Sequence, residues 1–243
     1  MRLRALLLDA GNTLIRMDYA AIARRLAVHG VTTTAGAVQR AEWRARVRLD
    51  DEVLAAGRPG TSTESRATGE RYVRYLLASL GVVDTTTVEA LTEWRRTYNP
   101  PLGLWTMPEP RAARALARAR AAGLRAAVVS NSNGTVRSIL EQLGLARHLD
   151  FVIDSREVGV EKPDPAIFRL ALERAGVGPA EAVYVGDLYS VDVLGARAAG
   201  VEAILVDPGR CWGPRDCRRA GDVDTAVRLA LAGPRYSGNV TNG

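Results

Sequence analysis

Lysine is almost missing from this sequence. Of 33 basic residues in 243, only Lys162 is a lysine and the rest are arginine. Wherever a position needs only positive charge, then, the chain uses a planar guanidinium. A compact ammonium is kept at one place, and the two groups are not chemically equivalent. Cysteine is confined to Cys211 and Cys217, too few for a disulfide framework and spaced unlike a zinc site; both read as ordinary thiols. Two histidines, His29 and His148, fall at the ends of predicted helices, which excludes a histidine-rich metal centre and gives a Ser-His-Asp triad no context. No apolar run approaches membrane-spanning length. The basic and apolar start, residues 1–8, is broken at Asp9, too early for a signal peptide. The expectation is a soluble, cytoplasmic protein with no membrane partner. Runs of like charge are also absent. The net charge is 33 − 27 = +6, but the arginines alternate with alanine and leucine along predicted helices. Arg24, Arg25, Arg44, Arg46 and Arg48 read as a solvated face, and no nucleic-acid partner is expected.

What is present is ordinary globular composition, 47% apolar and 25% charged, enough for a full core. Short apolar runs at 3–8, 124–129, 151–154, 182–185 and 203–206 alternate with helical patterns. That alternation predicts an α/β fold, a Rossmann-like parallel sheet with helices on both faces. Between Asp18 and Pro100 the texture is helical only, with patterns from 18 to Gly30 and near 35–56, 66–80 and 85–97. It reads as an inserted all-α domain, with Trp43, Trp94, Tyr72 and Tyr75 as its packing residues. The expected division is a core of residues 1–15 and 100–232, a helical insert of 16–99, and a disordered tail of 233–243.

In an open parallel sheet, ligands bind beyond the carboxyl ends of the strands. Predicted strands end there at Asp9, at Ser130-Asn131 and at Gly186-Asp187, and Lys162 lies in the loop after the third strand. Two carboxylates that converge repel unless a cation lies between them, and Mg²⁺ with substrate phosphate is the natural candidate. The turn from Ser130 to Thr135, running into a helix, offers backbone amides to an anion. With the ion balancing the acids, one carboxylate can attack phosphorus. Read from the residues alone, this is phosphate chemistry at a metal site and nothing narrower.

Four segments, Asp9-Ala10-Gly11-Asn12-Thr13-Leu14, Val128-Val129-Ser130-Asn131, Lys162-Pro163-Asp164-Pro165 and Gly186-Asp187-Leu188-Tyr189-Ser190-Val191-Asp192, resemble in order the four motifs of the haloacid dehalogenase (HAD) hydrolase superfamily. The likeness is greatest to its phosphatase branch, and the insert resembles that family's C1-type cap. The resemblance implies a Mg²⁺-dependent phosphatase for a small phosphorylated metabolite, working as a monomer or homodimer. It implies Asp9 as the nucleophile that forms an aspartyl-phosphate. Ser130 and the backbone of Asn131 would bind the phosphoryl group, with Lys162 neutralising nucleophile and phosphate. Asp9, the carbonyl of Gly11, Asp187 and Asp192 would serve the metal, Asp192 in support or through water.

One position departs from the pattern. The phosphatase branch carries a second aspartate two residues after the nucleophile, where it serves as general acid and base. Here that residue is Gly11. Such a group is worth about 10²–10⁴-fold in rate, so the resemblance implies an enzyme slow on alkyl esters or selective for good leaving groups, unless another carboxylate such as Asp18 substitutes. Two other readings share the motifs: a HAD fold used for binding with little catalysis, and a 2-haloacid dehalogenase, whose halide leaves without a proton.

Overall fold

The computed structural model describes residues 2–56 and 61–233. The expected disordered tail lies outside these apart from Gly233, as do residues 57–60 of the loop inside the insert. In chain order the elements are β1 (Ala5–Leu8), β2 (Ile15–Arg16), α1 (Tyr19–Val28), α2 (Ala35–Leu49), α3 (Arg66–Ser79), α4 (Thr85–Thr97), β3 (Met107–Pro108), α5 (Ala112–Ala121), β4 (Arg125–Ser130), α6 (Val136–Gln142), β5 (Phe151–Asp154), α7 (Ser155–Val158), α8 (Pro165–Ala175), β6 (Ala182–Gly186), α9 (Leu194–Ala198), β7 (Glu202–Val206), β8 (Arg218–Ala220) and α10 (Val223–Leu231). Five-residue π-helical turns extend α2 (Asp50–Leu54) and precede α9 (Tyr189–Val193).

Six parallel strands form the sheet in the order β5-β4-β1-β6-β7-β8. The whole of β1 is buried, as a strand with both faces covered must be. Leu6 and Leu8 point into one core with Val128, Val185 and Val206, under α5, α6 and α10. Ala5 and Leu7 point into the other with Val129, Ile153, Tyr184 and Leu205, under α8 and α9. Chain connections run outward from β1 in both directions, so the switch in strand order falls at its carboxyl end, where Asp9 stands.

Helices α1 to α4 surround a third apolar cluster, including Ile22, Leu26, Val38, Leu49, Tyr75, Leu77 and Leu91. Their stretch of chain leaves and rejoins the sheet through the antiparallel pair β2–β3, whose strands are too short to leave a period in the sequence. Side-chain oxygens cap α1, α2, α3 and α4, from Asp18, Thr34, Ser65 and Asp84.

Sequence patterning also misses β8 and α10. β8 is an edge strand of two arginines and an alanine, with no alternation to read. α10 docks against α5 partly through charge. Asp224, fully buried, lies 2.5 Å from Arg114 Nη2 and 3.0 Å from Arg118 Nε. Hydrogen bonding from Arg114 outweighs the opposing effect of burial and, with Arg118, holds the Asp224 carboxyl down at about 2. A carboxylate depressed below its unfolded value stabilises the fold above about pH 4 and loses that contribution as pH falls toward 2. Asp224→Asn is therefore expected to cost about 1–2 kcal/mol at pH 7, discounted because the arginines are solvated. The deficit relative to wild type should narrow between pH 5 and pH 3 in urea titrations.

Candidate active site

Asp9, Gly11, Ser130, Asn131, Lys162, Asp187 and Asp192 all line one cavity of about 390 Å³ at the carboxyl edge of the sheet, between the sheet and the helical insert. Position follows from the strands. Asp9 is the first residue after β1, its amide donating to Val185 O at 2.8 Å; Ser130 ends β4; Asp187 follows the last residue of β6.

Lys162 is the hub. Its ammonium is 2.6 Å from Asp9 Oδ1, 2.7 Å from Asp192 Oδ1 and 2.9 Å from the Tyr184 hydroxyl, and the side chain is 2% exposed. Burial alone would lower its affinity for a proton, but Asp192 and Asp9 outweigh burial and lift it above the ordinary lysine range. Three acceptors at these distances suit a tetrahedral donor, which is why a chain that otherwise uses arginine keeps lysine here. The loop carrying it is clamped by Asn131, whose Oδ1 accepts from Lys162 N at 2.7 Å and whose Nδ2 donates to Lys162 O at 2.9 Å. Burial pushes the Asp9 carboxyl up to about 6, with Lys162 opposing and Asp192 adding to the rise.

Asp192 belongs to the π-turn, not to a cap of α9, whose N-terminus carries no side-chain cap. Its Oδ2 accepts from the amides of Asp187 and Leu188 at 3.0 and 2.9 Å, and its Oδ1 from Lys162 and Tyr184. With both oxygens engaged, Asp192 fixes the loop that presents Asp187. The close approach demands glycine at 186, since a Cβ there would fall 2.4 Å from Asp192 Cγ. Single π-turns of this sort recur at functional sites.

Arg46 corrects the sequence reading. It is not part of a solvated face but is 3% exposed, reaching from α2 to place Nη1 3.0 Å from Asp187 Oδ2 while pairing with Glu42. Glu42, fully buried, also accepts from Asn12 Nδ2 and from the hydroxyls of Tyr19 and Tyr72. Asn12 Nδ2 in turn lies 3.1 Å from Asp187 Oδ2. Nearby, Asp50 accepts from the amide and hydroxyl of Ser190, so the end of α2 is tied to the sheet by a row of buried polar contacts. The signal was present in the sequence: Val38, Ala41, Ala45 and Leu49 form an apolar stripe, and Glu42 and Arg46 interrupt it at i, i+4.

Two other expectations change. The turn after Ser130 offers fewer free amides than its sequence suggests, because Ser132 N donates to Ser155 Oγ and Gly134 N to Asp154 Oδ2; this is the structural work of Asp154 and Ser155. Asp18 does not reach the cavity. It caps α1 through Ala21 N at 2.8 Å and faces Arg24.

The donor set suits a hard divalent cation. One oxygen each from Asp9, Asp187 and Asp192 lie within 4.8 Å of one another. Asn12 Oδ1, beside them, is buried without a hydrogen-bond partner. Burial pushes Asp187 well above the carboxylate range, against the pull of Arg46, and Asp9, Asp192 and Glu42 push it further. Four carboxylates, Asp9, Glu42, Asp187 and Asp192, face two cations, Lys162 and Arg46, and the excess of negative charge fits Mg²⁺.

A family model described as haloacid dehalogenase-like hydrolase matches residues 3–200. Haloacid dehalogenase-like hydrolase domain-containing protein 3 of Mus musculus is 34% identical over 213 residues, covering 85% of this chain and 82% of that protein. Phosphoserine phosphatase of Thermus thermophilus is 48% identical over 101 residues, 41% of each chain. Among solved structures, the magnesium-bound HAD-hydrolase YfnB of Bacillus subtilis superposes with a TM-score of 0.62 at 18% identity, covering 96% of this chain and 100% of that one.

Proposed function

This chain belongs to the haloacid dehalogenase-like hydrolase family, and on that footing we propose that it is a Mg²⁺-dependent phosphatase of small phosphorylated metabolites, working in the cytoplasm through an aspartyl-phosphate on Asp9. The observation that carries the reading is the Asp9–Lys162 contact at 2.6 Å, set beside Asp187 and Asp192. The phosphatase name of the Thermus thermophilus relative supports the same choice within the family.

Asp9 is the nucleophile. Lys162 holds its Oδ1, which leaves Oδ2 to attack phosphorus, and the same ammonium offsets charge that gathers on the phosphoryl oxygens. The Ser130 hydroxyl and the amide of Asn131 bind that group, and the side chain of Asn131 keeps the Lys162 loop in place. Asp9, Asp187 and the Gly11 carbonyl would hold Mg²⁺, with Asp192 behind Asp187. When bound, the ion supplies charge to the phosphoryl oxygens and to the approaching carboxylate.

The test is a panel of phosphate monoesters assayed with Mg²⁺ and with EDTA. Removing the metal is expected to lower kcat/KM by at least about 10²-fold; equal rates in both would end the phosphatase reading. One observation favours a metal-independent alternative, namely that Arg46 already lies 3.0 Å from Asp187. Chloride release from 2-chloropropionate in EDTA is the mark of that dehalogenase reading. Binding of Mg²⁺ with no turnover of either substrate class would mark a HAD fold used for binding alone.

A further inference from the structure

Breaking a phosphate ester of an alkyl alcohol requires a proton for the departing oxygen, because an alkoxide is a poor leaving group in water. Residue 11 has no side chain to give one. Four carboxylates line the cavity among the described residues: Asp9, Glu64, Asp187 and Asp192. Asp9 is held by Lys162, Asp187 by Arg46 and Asn12, and Asp192 by four donors. Only the Glu64 carboxylate has no hydrogen-bond or ion-pair partner among the described residues.

Glu64 belongs to the segment of the insert that leads into α3, and this segment is fastened to the loops of the sheet. Thr63 Oγ1 accepts from Asn131 Nδ2 at 3.0 Å, and Ser62 Oγ donates to Glu161 Oε2 at 2.7 Å. The Glu64 amide folds back onto Ser62 Oγ at 3.0 Å. Both side-chain contacts come from the two residues just before Glu64 and end on Asn131, which binds the Lys162 loop, and on Glu161, which precedes Lys162. The segment is thereby held at the cavity that Asp9 also lines.

We propose that Glu64 is the general acid and base of this active site, supplied by the helical insert in place of a side chain at residue 11. The inference rests on the phosphatase reading and adds a residue to it. In the first half-reaction Asp9 Oδ2 bonds to phosphorus, the bond from phosphorus to the ester oxygen breaks, and the oxygen keeps the electron pair and takes the proton of the Glu64 carboxyl. In the second, the Glu64 carboxylate takes a proton from water as the water oxygen bonds to phosphorus and the bond to Asp9 breaks. Phosphate leaves, and Glu64 is protonated again.

The surroundings of Glu64 suit this cycle. Glu64 is exposed, but crowding at the cavity removes part of its water and raises its carboxyl to about 7; Arg95 opposes, while Glu161, Asp154 and Asp9 add to the rise. A group poised near working pH can both give and take a proton. As an acid it acts only when protonated, so the rate on alkyl esters should fall as pH rises through its pKa.

The experiment compares wild type, Glu64→Gln, Gly11→Asp and the double variant on an alkyl phosphate and on 4-nitrophenyl phosphate, with Mg²⁺, from pH 5 to pH 9. E64Q should lower kcat/KM on the alkyl ester by about 10²-fold or more and remove the alkaline limb of its profile, while kcat/KM on the aryl ester, whose leaving group needs no proton, changes by less than about threefold; kcat falls on both esters, because both share the water step that uses Glu64. Adding G11D to E64Q should recover the alkyl ester. The backbone accepts a side chain there: Gly11 has no left-handed φ, and a Cβ would make ordinary contacts, with Trp105 at 3.5 Å and Asp9 Oδ2 at 3.8 Å. Carbon-13 titration of the metal-free protein gives a reading independent of turnover, in which one glutamate signal near pH 7 should vanish in E64Q. Equal losses of kcat/KM on both esters, or no loss on either, would overturn the role of Glu64 while leaving the phosphatase standing. A wild type with no Mg²⁺-dependent hydrolysis of either ester would overturn both.

Discussion

Asp9→Asn is expected to remove phosphate-ester turnover, by at least about 10⁴-fold in kcat, with thermal unfolding close to that of wild type. Asparagine matches the shape of the carboxylate but cannot form the acyl-phosphate bond, so the first half-reaction has no nucleophile. The fold should survive because Asp9 does not hold Lys162 alone. Asp192 Oδ1 and the Tyr184 hydroxyl remain within 2.9 Å of the ammonium. An ionised Asp9 also stands in a place where burial disfavours its charge, and a neutral isostere avoids that cost. Two measurements check this: kcat on 4-nitrophenyl phosphate with Mg²⁺, and the hydroxylamine-labile phosphate retained by quenched enzyme. Wild-type turnover, or undiminished labelling, in the variant would remove Asp9 from the reaction.

Lys162→Met has the largest expected effect on stability, a loss of about 3–5 kcal/mol at pH 7. Removing the ammonium leaves the carboxylates of Asp9 and Asp192 unpaired in a site from which water is excluded, with only the Tyr184 hydroxyl and two amides to replace it. Because the lysine is raised above its ordinary value, its contribution is complete at every pH below about 10 and is lost only as pH climbs beyond the lysine range. The deficit of the variant should therefore be largest near pH 9 and shrink as pH falls, beginning above pH 6, because without the ammonium Asp9 takes up a proton more readily than in the intact site. Lys162→Arg should not restore the loss. The guanidinium is longer and planar, and the present side chain is 2% exposed, with three acceptors arranged around one nitrogen. Urea titrations at pH 5.5, 7 and 9 read all of this; a loss under about 1 kcal/mol for K162M would mean that the buried pairs do not couple as described.

The parts of this structure that could be read in advance are those where local chemistry and position agree. Asp9, Ser130, Asp187 and Lys162 follow or end apolar strands, and the sheet brings such ends to one edge whatever the register of the helices. Charged residues on helices give no comparable signal. Arg46 was read with Arg44 and Arg48 as solvated because arginine is seldom buried, whereas its burial depends on Glu42 one turn earlier and on Asp187, 141 residues away. Asp192 could be a cap or a metal residue on sequence grounds; only the π-turn, with Gly186 beneath it, shows that both oxygens are used in holding the loop. β8 and α10 had the opposite defect. β8 lacks alternation, and part of what seats α10 is the Asp224 charge cluster instead of an apolar run. The Thr63–Asn131 and Ser62–Glu161 contacts join segments 68 and 99 residues apart, and no local pattern announces them.

One consequence of the buried ammonium concerns reagents instead of substrates. To an acylating probe that seeks amines, this sequence offers one side chain, and it is sealed beneath Asp9, Asp192 and Tyr184. Native protein should leave that side chain unlabelled. An acyl group can reach it only when the floor of the cavity opens, so the rate of its labelling is a clock for how often the cavity comes apart.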